Sequence, residues 1–197
     1  MKKDIILAGV GGQGILSIAA VIGYAALEQG MHLKQSEVHG MSQRGGEVLS
    51  NLRISSGEIA SDLIPLGKAD LIISVEPLES LRYLPYLARE GWIISSSIPF
   101  QNISNYPPIE SVLDAIHALP HHVVLDAETI AKGAGSVKAS NMVVLGAASP
   151  FLEMEYSRLV DAIRFIFKKK GDAVIELNHR ALQAGMEFTE NERVQKP

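Results

Sequence analysis

The sequence predicts a three-layer α/β/α domain on a mostly parallel sheet, and three observations carry that expectation. Short apolar runs such as Asp4 to Val10 and Ala69 to Val75 read as strands buried on both faces. Helix-period segments alternate with such runs, as βαβ crossovers require. A glycine-rich turn joins the first strand to the first helix. With 197 residues, the chain can fill one core, so the expected organisation is one domain over 1–188 and a polar tail over 189–197.

The elements follow in order. From Gln13 to Glu28 the residues Leu16, Ala19, Ala20, Gly23, Ala26 and Leu27 recur at helical spacing, and Gly30 supplies a stop. His32 to Val38 and Glu47 to Ile54 alternate and read as strands. Glu76 to Leu87 is expected to be a helix broken near Pro85, with strands again at Trp92 to Ser97 and His122 to Asp126. Pro99 to Pro108 has the composition of a long surface loop. Asn141 to Leu152, Tyr156 to Lys170 and Asp172 to Phe188 carry helical periodicity, and the tail begins at Thr189.

Composition removes several function classes. The apolar share is 47% and the formal net charge is -4 with both signs interspersed, which argues for a folded chain and against a broad cationic field for nucleic acid. Cysteine is absent, so disulfides, thiolate zinc sites and cysteine-ligated iron–sulfur clusters are excluded from this chain. The first apolar run is too short for a signal sequence, and no stretch approaches the roughly 18 apolar residues of a membrane span. A cytoplasmic protein is expected.

Gly9-Val10-Gly11-Gly12-Gln13-Gly14 satisfies the G-x-G-x-x-G spacing between a buried strand and a helix, a Rossmann-like placement. Backbone amides there can surround a phosphate, and the helix start adds its partial positive charge. Gln13 offers both donors and an acceptor. The same glycines also serve a purely structural end, close packing of helix on strand. Glu37, about 20 residues on, stands where a ribose-binding acid of a nicotinamide site is sought.

The second loop, Ser36-Glu37-Val38-His39-Gly40-Met41-Ser42-Gln43-Arg44-Gly45-Gly46, should leave the sheet at the carboxyl edge, where ligand crevices form. Arg44 between flexible neighbours can present its planar fork to a phosphate or carboxylate. The bland alternative pairs Arg44 with Glu37 or Glu47. His39 has no second histidine or paired carboxylate nearby in sequence, and no catalytic role is assigned to it.

These two segments, with Asp62-Leu63-Ile64-Pro65, Ala69-Asp70 and Glu76-Pro77-Leu78-Glu79, resemble the gamma-type subunit of the 2-oxoacid:ferredoxin oxidoreductases. The run from Glu37 to Gly46 is similar to the small (beta) subunits of the family's indolepyruvate branch. The resemblance implies that family's gamma-domain fold and a complex in which thiamine diphosphate on a larger subunit decarboxylates an arylpyruvate. Iron–sulfur clusters there pass electrons to ferredoxin, and coenzyme A takes the acyl group. Gly171-Asp172-Ala173 lacks the Gly-Asp-Gly opening of a thiamine-diphosphate motif, so those cofactors are expected on the partner and none is expected to be tightly held here. Under this reading Gly9, Gly11, Gly12, Gln13, Gly14, Arg44, Gly45 and Gly46 contact coenzyme A phosphates or line its approach, and no residue of this chain is catalytic or metal-binding. The competing readings are a stand-alone NAD-type oxidoreductase using Glu37, and a scaffold that only stabilises the larger subunit.

Other residues carry plainer expectations. Trp92 is a core-edge anchor, Asp126 a helix cap, and Lys168 to Lys170 solvated charge at a helix end. Gly133 to Ser136 with Lys138, Ser140 and Asn141 can form a second small loop facing a ligand or the partner.

Overall fold

The computed structural model describes residues 1–40, 45–101 and 103–195. The opening apolar run forms β1 (Lys2–Val10), with Ile5 to Val10 buried. Helix α1 (Ile15–Leu27) follows, then β2 (His32–His39), β3 (Glu47–Ser55) and β4 (Ala69–Ser74). After α2 (Pro77–Arg82) and a short 3₁₀ turn come β5 (Leu87–Ser96), α3 (Ile109–His117) and β6 (His122–Leu125). Four helices close the chain: α4 (Ala127–Ala134), α5 (Ser140–Ala148), α6 (Tyr156–Phe167) and α7 (Asp172–Gln195).

Among the described residues the six strands lie in the order β2-β3-β1-β4-β5-β6. Strands β1, β4, β5 and β6 are mutually parallel, while β3 runs antiparallel to both β1 and β2. From β1 the chain first proceeds to one side, through β3 and β2, and then to the other, through β4. The carboxyl ends of β1 and β4 therefore flank the point where strand order reverses, the usual place for a crevice in an open α/β sheet.

Strand periodicity sends alternate side chains to opposite faces, and each face has its own core. Ile5, Leu7, Leu71 and Ile73 point to the layer of α1, α4, α5, α6 and α7, and Ile6, Ala8, Ile72 and Ile93 to a thinner layer holding α2 and α3. The thick layer is tightly built where α5 meets α7: a Cβ on Gly146 would lie 1.9 Å from the Leu182 carbonyl oxygen, and one on Gly185 1.9 Å from that of Val143. Only hydrogen at these positions lets the two backbones touch.

Several boundaries differ from the sequence reading. β5 begins at Leu87 rather than Trp92, because the expected helix stops at Arg82 and a 3₁₀ turn over Leu84–Tyr86 returns the chain to the sheet. Helix α3 stands where the sequence offered no clear helical stretch, and α4 follows the cap expected at Asp126. The polar tail expected from Thr189 is helical: α7 continues to Gln195, and Thr189 is fully buried with its hydroxyl donating to the Ala147 carbonyl at 2.9 Å. A threonine that bonds back to a neighbouring helix carries no surface signature. No helix among the described residues is long and apolar enough to cross a membrane.

Candidate functional site

The glycine turn leaves β1 at the reversal point and is held by three separate contacts. The Gly11 N–H donates to the Gly46 carbonyl at 2.8 Å, which clips the turn to the far end of the second loop. Gln13 folds back rather than outward: its Oε1 accepts from Val10 N–H at 2.8 Å and its Nε2 donates to the Val75 carbonyl at 3.4 Å. It thus bridges the ends of β1 and β4. Asn141, at the start of α5, donates from Nδ2 to the Gly14 carbonyl at 3.0 Å across 127 residues of sequence.

Two of the glycines are dictated by these contacts. A Cβ on Gly9 would lie 2.5 Å from Val75 Cγ2 and 2.8 Å from Ile15 Cδ1, so the structural use of the turn is real. Gly14 combines a φ of 81° with a virtual Cβ 2.5 Å from Asn141 Nδ2, a position closed to L side chains on both counts. The helix start remains open to an anion. Ile15 and Leu16 are first-turn residues with no helical carbonyl behind them, and no acidic side chain occupies that turn.

The second loop meets this turn because β2 and β3 end beside β1. Val10 pairs with Glu47, His39 pairs with Val48, and Gly40 N–H donates to the Glu47 carbonyl at 2.8 Å. Of the expected site residues, Gly9, Gly11, Gly12, Gln13, Gly14, Gly45 and Gly46 thus share one edge. Arg44 lies outside the described residues, with Met41, Ser42 and Gln43. Of the two carboxylates weighed as its surface partners, Glu37 bonds His39 Nε2 at 3.2 Å and Gln35, and Glu47 bonds Arg82 Nη1 at 3.3 Å.

Glu37 is also misplaced for a nicotinamide ribose. In a dinucleotide fold the strand carrying the ribose acid adjoins the first strand. Here β3 intervenes, moving β2 outward by one further strand spacing of about 4.8 Å.

The motif Glu76-Pro77-Leu78-Glu79 organises the opposite bank. Glu76 is buried and caps α2, accepting the Glu79 N–H at 2.8 Å, the Phe100 N–H at 3.2 Å and the Tyr106 hydroxyl. Burial and then this bond to Glu76 push the Tyr106 hydroxyl far up, keeping it protonated as a donor. Glu79 holds Arg82 through bonds of 2.8 and 3.1 Å. Burial raises the Glu79 carboxyl above its ordinary value, with Arg82 pulling the other way. Arg82 in turn reaches Glu47, so the foot of the second loop is pinned to α2. Asp126 caps α4 as expected, accepting Thr129 N–H and Oγ1–H at 2.8 Å each.

Three clefts open around the turn. One of about 320 Å³ lies between Gly11, Leu16, His39 and Val48. Another, of about 200 Å³, runs over Gln13, Val75, Ser96 and Phe100. A third, of about 350 Å³, is bordered by Gly12, Gly14, Ser17, Lys138, Lys170 and Asn178. The third brings two lysines to the helix mouth. Lys170, at the helix end where the sequence places solvated charge, has its ammonium 5.3 Å from the Phe167 ring centroid and also borders the cleft. Neither lysine has a signal near the turn in sequence, since tertiary folding alone delivers them. Among the described residues no cluster of three or more histidine, aspartate or glutamate side chains could hold a metal.

Comparisons with known proteins give one consistent result. A sequence model of the family described as pyruvate ferredoxin/flavodoxin oxidoreductase matches residues 4–188. The indolepyruvate oxidoreductase subunit IorB of Methanothermobacter thermautotrophicus is 37% identical over 194 residues, covering 94% of this chain and 96% of the relative. The same subunit of Archaeoglobus fulgidus is 35% identical, with 94% of each covered. The gamma subunit of a keto/oxoacid ferredoxin oxidoreductase from Geobacter sulfurreducens superposes with a TM-score of 0.71 at 22% identity, covering 96% of this chain and 99% of that one. The 2-oxoglutarate:ferredoxin oxidoreductase from Magnetococcus marinus, solved with 2-oxoglutarate, coenzyme A and succinyl-CoA bound, gives 0.78 at 21% identity. This chain spans only 31% of that longer one. At such identities the two solved structures speak to fold alone.

Proposed function

Since the chain belongs to the pyruvate ferredoxin/flavodoxin oxidoreductase family, as a subunit of a 2-oxoacid:ferredoxin oxidoreductase complex, we propose that its glycine notch forms the coenzyme A side of that complex's active site. The observation that carries the reading is the clip from Gly11 N–H to the Gly46 carbonyl, which makes one concave edge from two loops distant in sequence. The substrate is an arylpyruvate, indolepyruvate in the first instance, in line with what the IorB relatives are named for.

The chemistry is divided between chains. The larger subunit supplies thiamine diphosphate for decarboxylation and iron–sulfur clusters for transfer of electrons to ferredoxin. This chain, with no cysteine, holds no cysteine-ligated cluster and acts by binding. First-turn amides of α1 and the Lys138 and Lys170 ammonium groups attract the phosphates of coenzyme A, with Arg44 from the second loop as a further cation. Gly11 and Gln13 keep the turn rigid, so that binding does not have to order it.

Exposed apolar side chains stand in the clefts around the turn, Leu16 in one and Phe100 in another, and Val38 is exposed near the end of β2. Those side chains suit burial against another polypeptide. They also favour a second reading, in which the edge is an assembly surface only. Arg44→Ala and Lys138→Ala in the reconstituted complex separate the two. Coenzyme A binding predicts a KM for coenzyme A raised about tenfold, the loss of one charge-assisted contact, at unchanged assembly. Impaired assembly with an unchanged KM would leave the surface reading standing and end the first.

A further inference from the structure

A cavity of about 510 Å³ lies away from the glycine turn, at the opposite margin of the sheet. β6 is the last strand there. Its ladder to β5 fixes which backbone groups are already used: Ile93 N–H donates to the His121 carbonyl at 3.1 Å, and Ser97 N–H to that of Leu125 at 2.9 Å. In a parallel ladder alternate residues turn their N–H and C=O to the same neighbour. His121, Val123 and Leu125 therefore face β5, while His122 and Val124 direct their amides and carbonyls off the sheet. Among the described residues none of these four groups meets a partner.

The four groups open into the cavity. Its walls include Trp92, Val123, His117 at the end of α3, and Glu192 and Arg193 near the end of α7. Because α3 and α7 belong to opposite layers, the space continues the plane of the sheet between them. A small molecule would meet one or two of the edge groups, whereas an extended chain meets all four at the spacing they already have. The rim is basic. The Arg193 guanidinium stands 5.4 Å from the Phe151 ring, and His122 uses Nδ1–H on the Leu119 carbonyl at 2.7 Å. Glu192, on the same rim, is engaged within the chain.

We propose that β6 receives an extended segment of the larger subunit as a further strand, with an apolar side chain against Trp92 and an acidic residue beside Arg193 and His117. The inference rests on the chain's place in a multisubunit complex and not on the coenzyme A reading, so its test leaves coenzyme A kinetics aside.

Hydrogen exchange read amide by amide, on the full chain alone and with the larger subunit, decides it. Exchange at His122 and Val124 should slow at least tenfold on assembly, while the Val123 and Leu125 amides are protected throughout. Unchanged exchange at the two outward amides overturns the proposal. So does their protection in the chain alone by a co-purifying small molecule. Val124→Pro deletes one outward N–H without touching the ladder to β5, and Arg193→Glu reverses the rim; each should weaken capture of the larger subunit at least tenfold. Should the proline variant fail to fold, undiminished capture by Arg193→Glu alone overturns the proposal.

Discussion

The two halves of the sheet are built on different terms. In the parallel half, β1 and β4 are buried along nearly their whole length and helices cover both faces. The ribbon made by β2 and β3 is another matter: β2 is exposed at most positions, with only Leu33 packed against the core of the α1 layer. The ribbon is nonetheless what carries the second loop to the glycine turn. Buried strands thus supply the anchor, and β3 carries an exposed edge strand whose end brings in the second loop, a division common where binding loops ride on a scaffold.

The contrast breaks most readily at the seam between the halves. Asp4 on β1 and Arg53 on β3 form a buried two-pronged ion pair at 2.7 and 3.0 Å. Asp4→Ala leaves the half-buried Arg53 guanidinium with only the Ser61 and Leu63 carbonyls and should cost about 3 kcal/mol in chemical denaturation; a loss below about 1 kcal/mol would show that the halves are not joined there. Within the thick layer, Gly146→Ala drives a methyl into the α7 backbone, with an expected loss of about 2–3 kcal/mol by the same measurement.

Asp126→Ala removes the α4 cap and should cost about 1 kcal/mol near neutral pH. Its sign with pH is fixed by the depressed carboxyl, held down chiefly by the Thr129 N–H. The contribution is full above the ordinary aspartate value of about 3.9 and fades as pH falls through the lower folded value. Stability curves of the wild type and variant should therefore converge in acid; a constant gap would refute the cap. On the ribbon, Val38→Thr should change stability by no more than about 0.5 kcal/mol. A cost matching that of Gly146→Ala would erase the distinction between the halves.

What could be read from sequence follows the same division. β1, α1 and β4 were legible because their side chains are uniformly apolar or helically periodic, and local pattern decides such segments. α3 was not, since only Val112 and Ile116 of its nine residues are buried and prolines precede it. The glycine turn was legible as a local motif, and its proximity to the second loop followed from the expected carboxyl edge. Gln13 lines the clefts beside the turn, and its tie between β1 and β4 has no signal in the local sequence. Lys138, Asn141 and Lys170 reach the turn only through the packing of the last helices, which no local window contains.

The placement of α7 has a bearing on biosynthesis. This last helix of the described chain fills the groove on α5, and Thr189, close to its end, is sealed inside. During translation the surfaces of α5 and α6 that it covers stay wet until α7 itself has left the ribosome, so the thick layer closes only afterwards. Removing the final two turns of α7 should strand the nascent product with a greasy, open flank, a substrate for chaperones rather than for its companion subunit.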